Sequence, residues 1–158
     1  MRFNTLSITL GLNLLIAAPA IAQTAPSSRE SFKFLSAEKV EALTGKPGAG
    51  PTTAHLAEHA GFDVEYALRS DLGNQVEVHA HRTHYIHILD GRGTLTYGGT
   101  VTSPTKTAPG EIRGKAVLGG TVISLHAGDY LQIPAGMPHL FNAIHGARLR
   151  YIVFNIKS

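Results

Sequence analysis

From Phe62 onward, apolar and polar residues alternate in short runs, "FDVEYALRS", "NQVEVHAH", "YIHIL", "GTLTYGG", "TVISL", "YLQIP" and "LRYIVFNI", with Gly-containing turns about ten residues apart. A period of two is that of a half-buried strand, and the even turn spacing predicts an antiparallel sandwich or barrel. Ahead of it, Ser36 is placed to cap a short helix, "AEKVEAL", which Gly45 ends before "KPGAGP" breaks the chain again. That helix reads as a flap on the main body. No repeat of solenoid period is visible. The one compositional oddity is "GGTVTSPTKTAPGEIRGKAVLGG", residues 98–120, a Gly/Pro/Thr-rich insertion or loose hairpin with Glu111, Arg113 and Lys115 near its end. Folded over the barrel mouth it would select an anionic substrate; otherwise it is plain surface structure.

The first residues stand apart from this pattern. Met1-Arg2 is followed by an apolar run from Leu6 to Ala18 and by Ala20-Ile21-Ala22, a small-x-small cleavage pattern before Gln23. The run contains Asn13 and is short for a bilayer span, so residues 1–22 read as a secretory signal peptide cleaved after about Ala22. The mature protein is expected in the periplasm or outside the cell. Residues 23–61 form an N-terminal extension with the short helix, and 62–158 the folded barrel.

Composition narrows the chemistry. The 158 residues include no cysteine and no tryptophan, and 43 % are hydrophobic. An exported chain without cysteine has no disulfides, so packing, a metal or oligomerisation must stabilise it. The formal charge of +3 comes from scattered Lys and Arg, which gives no footprint for nucleic acid. No basic amphipathic helix argues for membrane binding by the mature form.

His79, His81, His84 and His87 fall within nine positions. On a strand, Glu77, His79 and His81 share one face, and Val76, Val78 and Ala80 the other. Alternation alone leaves two readings open. Either the valines line the core and the histidines meet water, or the polar triplet faces a cavity and the valines pack against another sheet or subunit. His87 has the opposite parity to His84 and should lie outside. Much later, "GDYLQIPAGMPH", residues 128–139, places a Gly-Asp turn, a strand and a Pro-x-Gly turn before His139.

These two stretches resemble the two histidine motifs of the cupins. The first, G-x5-H-x-H-x3,4-E-x6-G, is approached by Gly73, His79, His81, His84 and Gly91, and the second, G-x5-P-x-G-x2-H-x3-N, by Gly128, Pro134, Gly136 and His139, with Asn142 one position early. Roughly residues 62–156 are covered. The resemblance implies an all-β fold, a single double-stranded β-helix (jelly-roll) barrel with a short N-terminal helix. Two departures stand out: His84 occupies the glutamate position, and the interval after His81 is two residues. A site of three or four histidines, His79, His81, His84 and His139, is therefore implied, as in carboxylate-poor thiol and diketone dioxygenases of the family.

Neutral imidazoles suit one divalent transition ion, Fe, Zn, Mn, Ni or Cu, rather than Mg or Ca. Such an ion keeps its full charge, so it should acidify water or bind an anionic, chelating small molecule. Glu77, on the face of His79, is the candidate catalytic residue, either a base or an acceptor that orients a histidine. With iron the resemblance implies a dioxygenase; with another metal a Lewis-acid isomerase or lyase is more natural. The alternative is a non-catalytic cupin that binds a small molecule or sequesters metal in a closed four-histidine site. Outward valines add the side expectation of a homodimer. The run "HLAEH", residues 55–59, matches a zinc-peptidase pattern that needs a helix and a third ligand; in a short connector its histidines are solvated. His126 and His145 read as surface residues.

Overall fold

The computed structural model describes residues 32–43, 52–70, 74–143 and 148–158. The chain divides into two compact units, Met1–Lys33 and Phe34–Ser158, and every helix and strand among the described residues lies in the second. The expected signal peptide lies outside the described residues, as do Gly45, Gly73 and His145. No helix among the described residues is long and apolar enough to cross a membrane.

The one helix among the described residues, α1 (Ala37–Leu43), forms at the expected place. Ser36 caps it: its Oγ accepts from the Lys39 N–H at 3.3 Å and its carbonyl from the Val40 N–H at 3.0 Å. Glu41 ties the helix to the sheet by accepting from Arg150 at 2.5 Å and from the Tyr66 hydroxyl at 3.4 Å.

Twelve strands follow: β1 (Thr52–Glu58), β2 (Phe62–Arg69), β3 (Val76–His79), β4 (Arg82–Tyr97), β5 (Thr100–Thr102), β6 (Thr105–Ala108), β7 (Glu111–Gly114), β8 (Ala116–Leu118), β9 (Thr121–His126), β10 (Tyr130–Ile133), β11 (His139–Ala143) and β12 (Leu149–Lys157). The main sheet runs β1-β2-β12-β4-β11-β3-β7-β6, with β9 and β10 also on β4, while β5 and β8 form a separate ribbon. The pairings are antiparallel.

Strand β4 is the corner of the barrel. Its residues 82–91 pair with β12 and 84–87 with β10, whereas 92–97 pair with β9 and 93–97 with β11. The sequence "DGRG", expected to end a strand, is instead a bend within one. Gly91 makes this possible: its φ is +86°, and a Cβ there would lie 1.7 Å from the carbonyl oxygen of Arg148. Only glycine accepts both the left-handed conformation and the close approach. The ladder to β12 shifts register beside it, between Arg150 and Tyr151, so the two halves of β4 serve two facing walls.

Between the walls lies a core of Ala67, Ile86, Ile88, Leu95, Leu125, Ile133, Phe141, Leu149, Tyr151 and Val153. Along each strand the inward positions then change character. On β4, Ile88 and Ile86 give way to His84; on β12, Tyr151 and Val153 give way to Asn155, and all remain buried. This apolar-to-polar switch at constant parity places the site inside the barrel.

Two expectations are revised here. Residues 55–58 of the run "HLAEH" belong to β1, which pairs with β2, and His59 follows directly after it, so its histidines are not on a helix face and the connector is a sheet edge. The insertion 98–120 is neither loose nor a detached lid: β7 extends the main sheet beside β3, with Val76 opposite Gly114 and His79 opposite Glu111. Val76 and Val78 face outward as parity requires, yet both are buried. Gly114 and Val101 cover the outer side of Val76, since a Cβ on Gly114 would stand 2.1 Å from Val101 and 3.6 Å from the Val76 Cβ. The chain's own insertion supplies the cover that suggested a second subunit.

Gly91→Ala should destabilise the protein by more than about 2 kcal/mol, from the forbidden φ and the clash together. Chemical denaturation of the variant against wild type checks this; an unchanged midpoint would mean that the bend does not depend on glycine.

Candidate metal centre

Three of the expected residues meet. His79 at the end of β3, His84 on β4 and His139 at the start of β11 are buried, and one ring nitrogen of each lies within 4.8 Å of the others. The Pro-x-Gly turn brings the last one in: the Gly136 N–H donates to the His79 carbonyl at 2.8 Å, and the Ala135 N–H to Thr83 Oγ1 at 3.2 Å. With Gly136 at φ +77°, the chain turns back and starts β11 with His139 opposite Glu77.

Each imidazole is oriented by an oxygen on its Nδ1. His79 Nδ1 donates to Glu111 Oε2 at 2.5 Å, His84 Nδ1 to Asn155 Oδ1 at 2.5 Å, and His139 Nδ1 to the Met137 carbonyl at 3.0 Å. Carboxylate and carbonyl oxygens only accept, so each Nδ1 carries a proton, and the Nε2 lone pairs of His84 and His139 turn to the centre. Two contacts test whether a cation fits there. His84 Nε2 is buried without any hydrogen-bond partner. Glu77 Oε2 lies 3.2 Å from His79 Nε2, a hydrogen bond when that nitrogen carries a proton, and 3.9 Å from His139 Nε2, so a negative charge stands at the edge of the histidine cluster. Three imidazoles with ring nitrogens mutually within 4.8 Å, and a carboxylate beside two of them, suit a divalent transition ion.

His81 is not brought to this point. β3 ends at His79, and Ala80 and His81 form an exposed turn to β4. The Ala80 N–H donates to the Gly110 carbonyl at 2.8 Å, and the His81 ring lies over Gly110, 2.9 Å from where a Cβ would stand. Once the strand ends, alternation no longer applies, and the expected fourth histidine turns outward. Glu77, expected as a base or orienting acceptor, has its carboxylate beside His79 and His139. Shifting the first motif by two residues gives Glu77-x-His79, four residues, His84, six residues and Gly91, which removes the short interval after His81. That anomalous interval was the signal in the sequence.

Sequence reasoning missed two supporting residues. Asn155 sits at the C-terminal edge of an apolar strand, and the role of Glu111 depends on β7 pairing with β3. Arg82 holds Glu111 in place, donating to its Oε1 at 2.7 Å. His87 is exposed, as its parity requires, and His126 is also at the surface.

The electrostatics suit metal ligation. Burial, with the neighbouring charges of His139 and His79, pushes His84 down to about 3. Burial likewise pushes His139 down to about 4, against the Met137 carbonyl and Glu77, which favour its charged form. Burial opposes the charge on Glu77, but the hydrogen bond with His79 and the charges of Arg69, His139 and Arg113 outweigh it and hold Glu77 at about 2. Neutral imidazoles and an ionised carboxylate are the forms that bind a cation. A cavity of about 170 Å³ adjoins them, lined also by Arg69, Arg82, Arg113, Glu65 and Tyr151. Pockets for drug-sized ligands run roughly 300–1,000 Å³, so this one fits a molecule of few atoms.

No protein-family model and no curated protein matches the chain, but solved structures do. A protein with a double-stranded β-helix domain from Klebsiella pneumoniae aligns with 81 % of this chain and 91 % of its own at 16 % identity and a TM-score of 0.57. Peruvianin-I, a cysteine peptidase from Thevetia peruviana latex, aligns over 84 % and 77 % at 13 % identity and a TM-score of 0.55. This chain has no cysteine to serve such an activity. A recombinant oxalate oxidase in complex with glycolate aligns with 72 % of this chain at 14 % identity and a TM-score of 0.50, and the chain spans 54 % of that protein. These likenesses are of fold: the chain folds as a double-stranded β-helix.

The buried histidines make the metal-free protein acid-sensitive. Their folded values lie below the 6.5 of a free imidazole, so the unfolded chain takes up protons first, and stability present above pH 6.5 is lost as pH falls toward 4 and 3. At pH 5 each histidine accounts for on the order of 2 kcal/mol. Glu77 adds a loss below its ordinary 4.5. Thermal melts of metal-free protein between pH 7.5 and 5 should fall steeply for wild type and less for His84→Gln. Equal slopes would contradict burial of a neutral His84.

Proposed function

We propose that this protein is a metal-dependent cupin enzyme acting on a small anionic molecule held beside the histidine cluster. The observation that carries the reading is the convergence of one ring nitrogen each from His79, His84 and His139, with the Glu77 carboxylate beside His79 and His139. His79, His84, His139 and Glu77 would hold the ion, which when bound supplies Lewis acidity for an isomerase or lyase, or redox chemistry for a dioxygenase, according to the metal. The chain's own side chains would do the rest. Arg69 lies in the cavity with Thr53 at 3.5 Å and the Tyr151 ring at 5.5 Å, and no described carboxylate is within salt-bridge distance of it. Arg113 enters the same cavity from β7. Two guanidinium groups facing a ligand-binding centre suit a carboxylate, which a planar fork can grip bidentately. Tyr151, Phe141, Ile86 and Val153 close the far side and would keep water from the bound molecule.

The alternative, a closed four-histidine site for storage, requires His81 in the cluster, and the exposed turn supports it less well. Export, with a mature N-terminus near Gln23, remains part of the proposal on the sequence of the leader; the intact mass of the exported protein would check it.

Plasma mass spectrometry on purified protein should find about one equivalent of a transition metal, lost in His139→Ala. Calorimetric titration of the loaded protein with glycolate, the ligand of the oxalate oxidase, or with other small carboxylates should show binding that weakens about tenfold in Arg69→Gln and in Arg113→Gln. Metal absent after reconstitution would remove the enzyme reading; metal present with no carboxylate binding would remove only the substrate class.

A further inference from the structure

Behind His84 runs a chain of two hydrogen bonds that the ligand set does not require. Asp63 on β2, Asn155 on β12 and His84 on β4 stand side by side in adjacent strands, Asn155 opposite both of the others. They are 5 %, 0 % and 7 % exposed. Asn155 Nδ2 donates to Asp63 Oδ2 at 2.6 Å, and Asn155 Oδ1 accepts from His84 Nδ1 at 2.5 Å.

An asparagine amide has a donor end and an acceptor end of almost the same shape, and a neighbour must decide which way it turns. Here the carboxylate of Asp63 decides. It offers acceptors only, so the NH2 group of Asn155 must face it and the oxygen must face His84. The oxygen in turn needs a donor, which keeps the His84 proton on Nδ1 and leaves Nε2 bare, a buried atom with no hydrogen-bond partner among the described residues. Were the amide reversed, its NH2 would face Nδ1, the proton would move to Nε2, and an N–H would point at the centre where a lone pair is needed.

We propose that Asp63 is a positioning residue that sets the tautomer of His84 through Asn155, and so sets how tightly the centre binds a metal. The proposal rests on the reading of His84 as a ligand. Burying a carboxylate and an amide is costly where an apolar pair would fill the same space, and a barrel interior otherwise lined by Ile86, Val153 and Ala67 at the neighbouring inward positions gains from them a defined proton position. Lys157 Nζ, 3.8 Å from the other oxygen of Asp63, balances the charge. Asp63 also groups with His55 and Glu65 within 4.8 Å, but Asn155 and Lys157 already engage its two oxygens, and His55 is exposed. That arrangement favours the relay over a second cation site.

The test uses Asp63→Asn, the same shape with an amide free to present either end. In metal-free wild type at pH 7.5, two-bond proton–nitrogen NMR of the His84 ring should find the proton on Nδ1. In Asp63→Asn it should find a mixture or the proton on Nε2, and Zn2+ affinity measured against a competing chelator should fall about 10- to 100-fold. A wild-type His84 protonated on Nε2 would overturn the proposal even if the variant fails to fold. An unchanged tautomer in a folded Asp63→Asn would do the same. A second Zn2+ equivalent in wild type, lost in the variant while the first is kept at full affinity, would assign Asp63 to the His55 group instead. A shifted tautomer in protein that binds no metal would leave the relay standing and remove the metal reading.

Discussion

An imidazole can serve a metal only with one nitrogen stripped of its proton, and in this barrel three imidazoles are each given an oxygen to hold on the other nitrogen. Glu111, Asn155 and the Met137 carbonyl perform that service for His79, His84 and His139, and each comes from a different part of the fold. For His84 and His139 burial adds the second half of the condition by disfavouring the charged ring. The site therefore depends less on the three histidines than on three acceptors, which explains why strands distant in sequence must be in register before the centre exists at all.

The corner in β4 provides that register. By carrying one strand through both walls, Gly91 places His84 on the wall with β12 and β2, opposite β3 and β11, which bring His79 and His139. The Pro-x-Gly turn, hydrogen-bonded to the His79 carbonyl, fixes the opposite wall to the same point. The glycines and proline that looked like punctuation in the sequence are thus the geometric part of the motif, and the histidines its chemical part.

Alternation and turn spacing made the all-β architecture and the separate strands legible, and fixed spacing made His79, His84 and His139 legible as a group. His81 was misplaced because alternation was carried one residue pair past the end of β3; nothing local marks Ala80 as a turn, since its N–H is satisfied by Gly110 in a hairpin thirty positions away. The same distance hid Glu111 and the cover over Val76 and Val78. Periodicity reports which face a residue takes, and it is silent on which segment arrives to pack against that face. Asp63 and Asn155 were illegible for that reason: each is an ordinary polar residue in its own strand, and only the ladder makes them neighbours.

The presence of Glu77, rather than His81, beside the cluster changes the charge of the centre. Four neutral imidazoles would leave a divalent ion with its whole charge, whereas three with one carboxylate would leave it a single net positive charge. The cavity wall adds three guanidinium groups, Arg69, Arg82 and Arg113, against the remaining carboxylate Glu65, and Arg82 is held to Glu111 outside that lining. Arg113 reaches the same carboxylate at a longer 3.5 Å, so the excess falls first on Arg69 and then on Arg113, the two guanidinium groups whose charge helps keep Glu77 ionised. Their field thus acts twice: it readies the carboxylate that would receive the metal, and it leaves a positive space that a small anion beside the metal would neutralise.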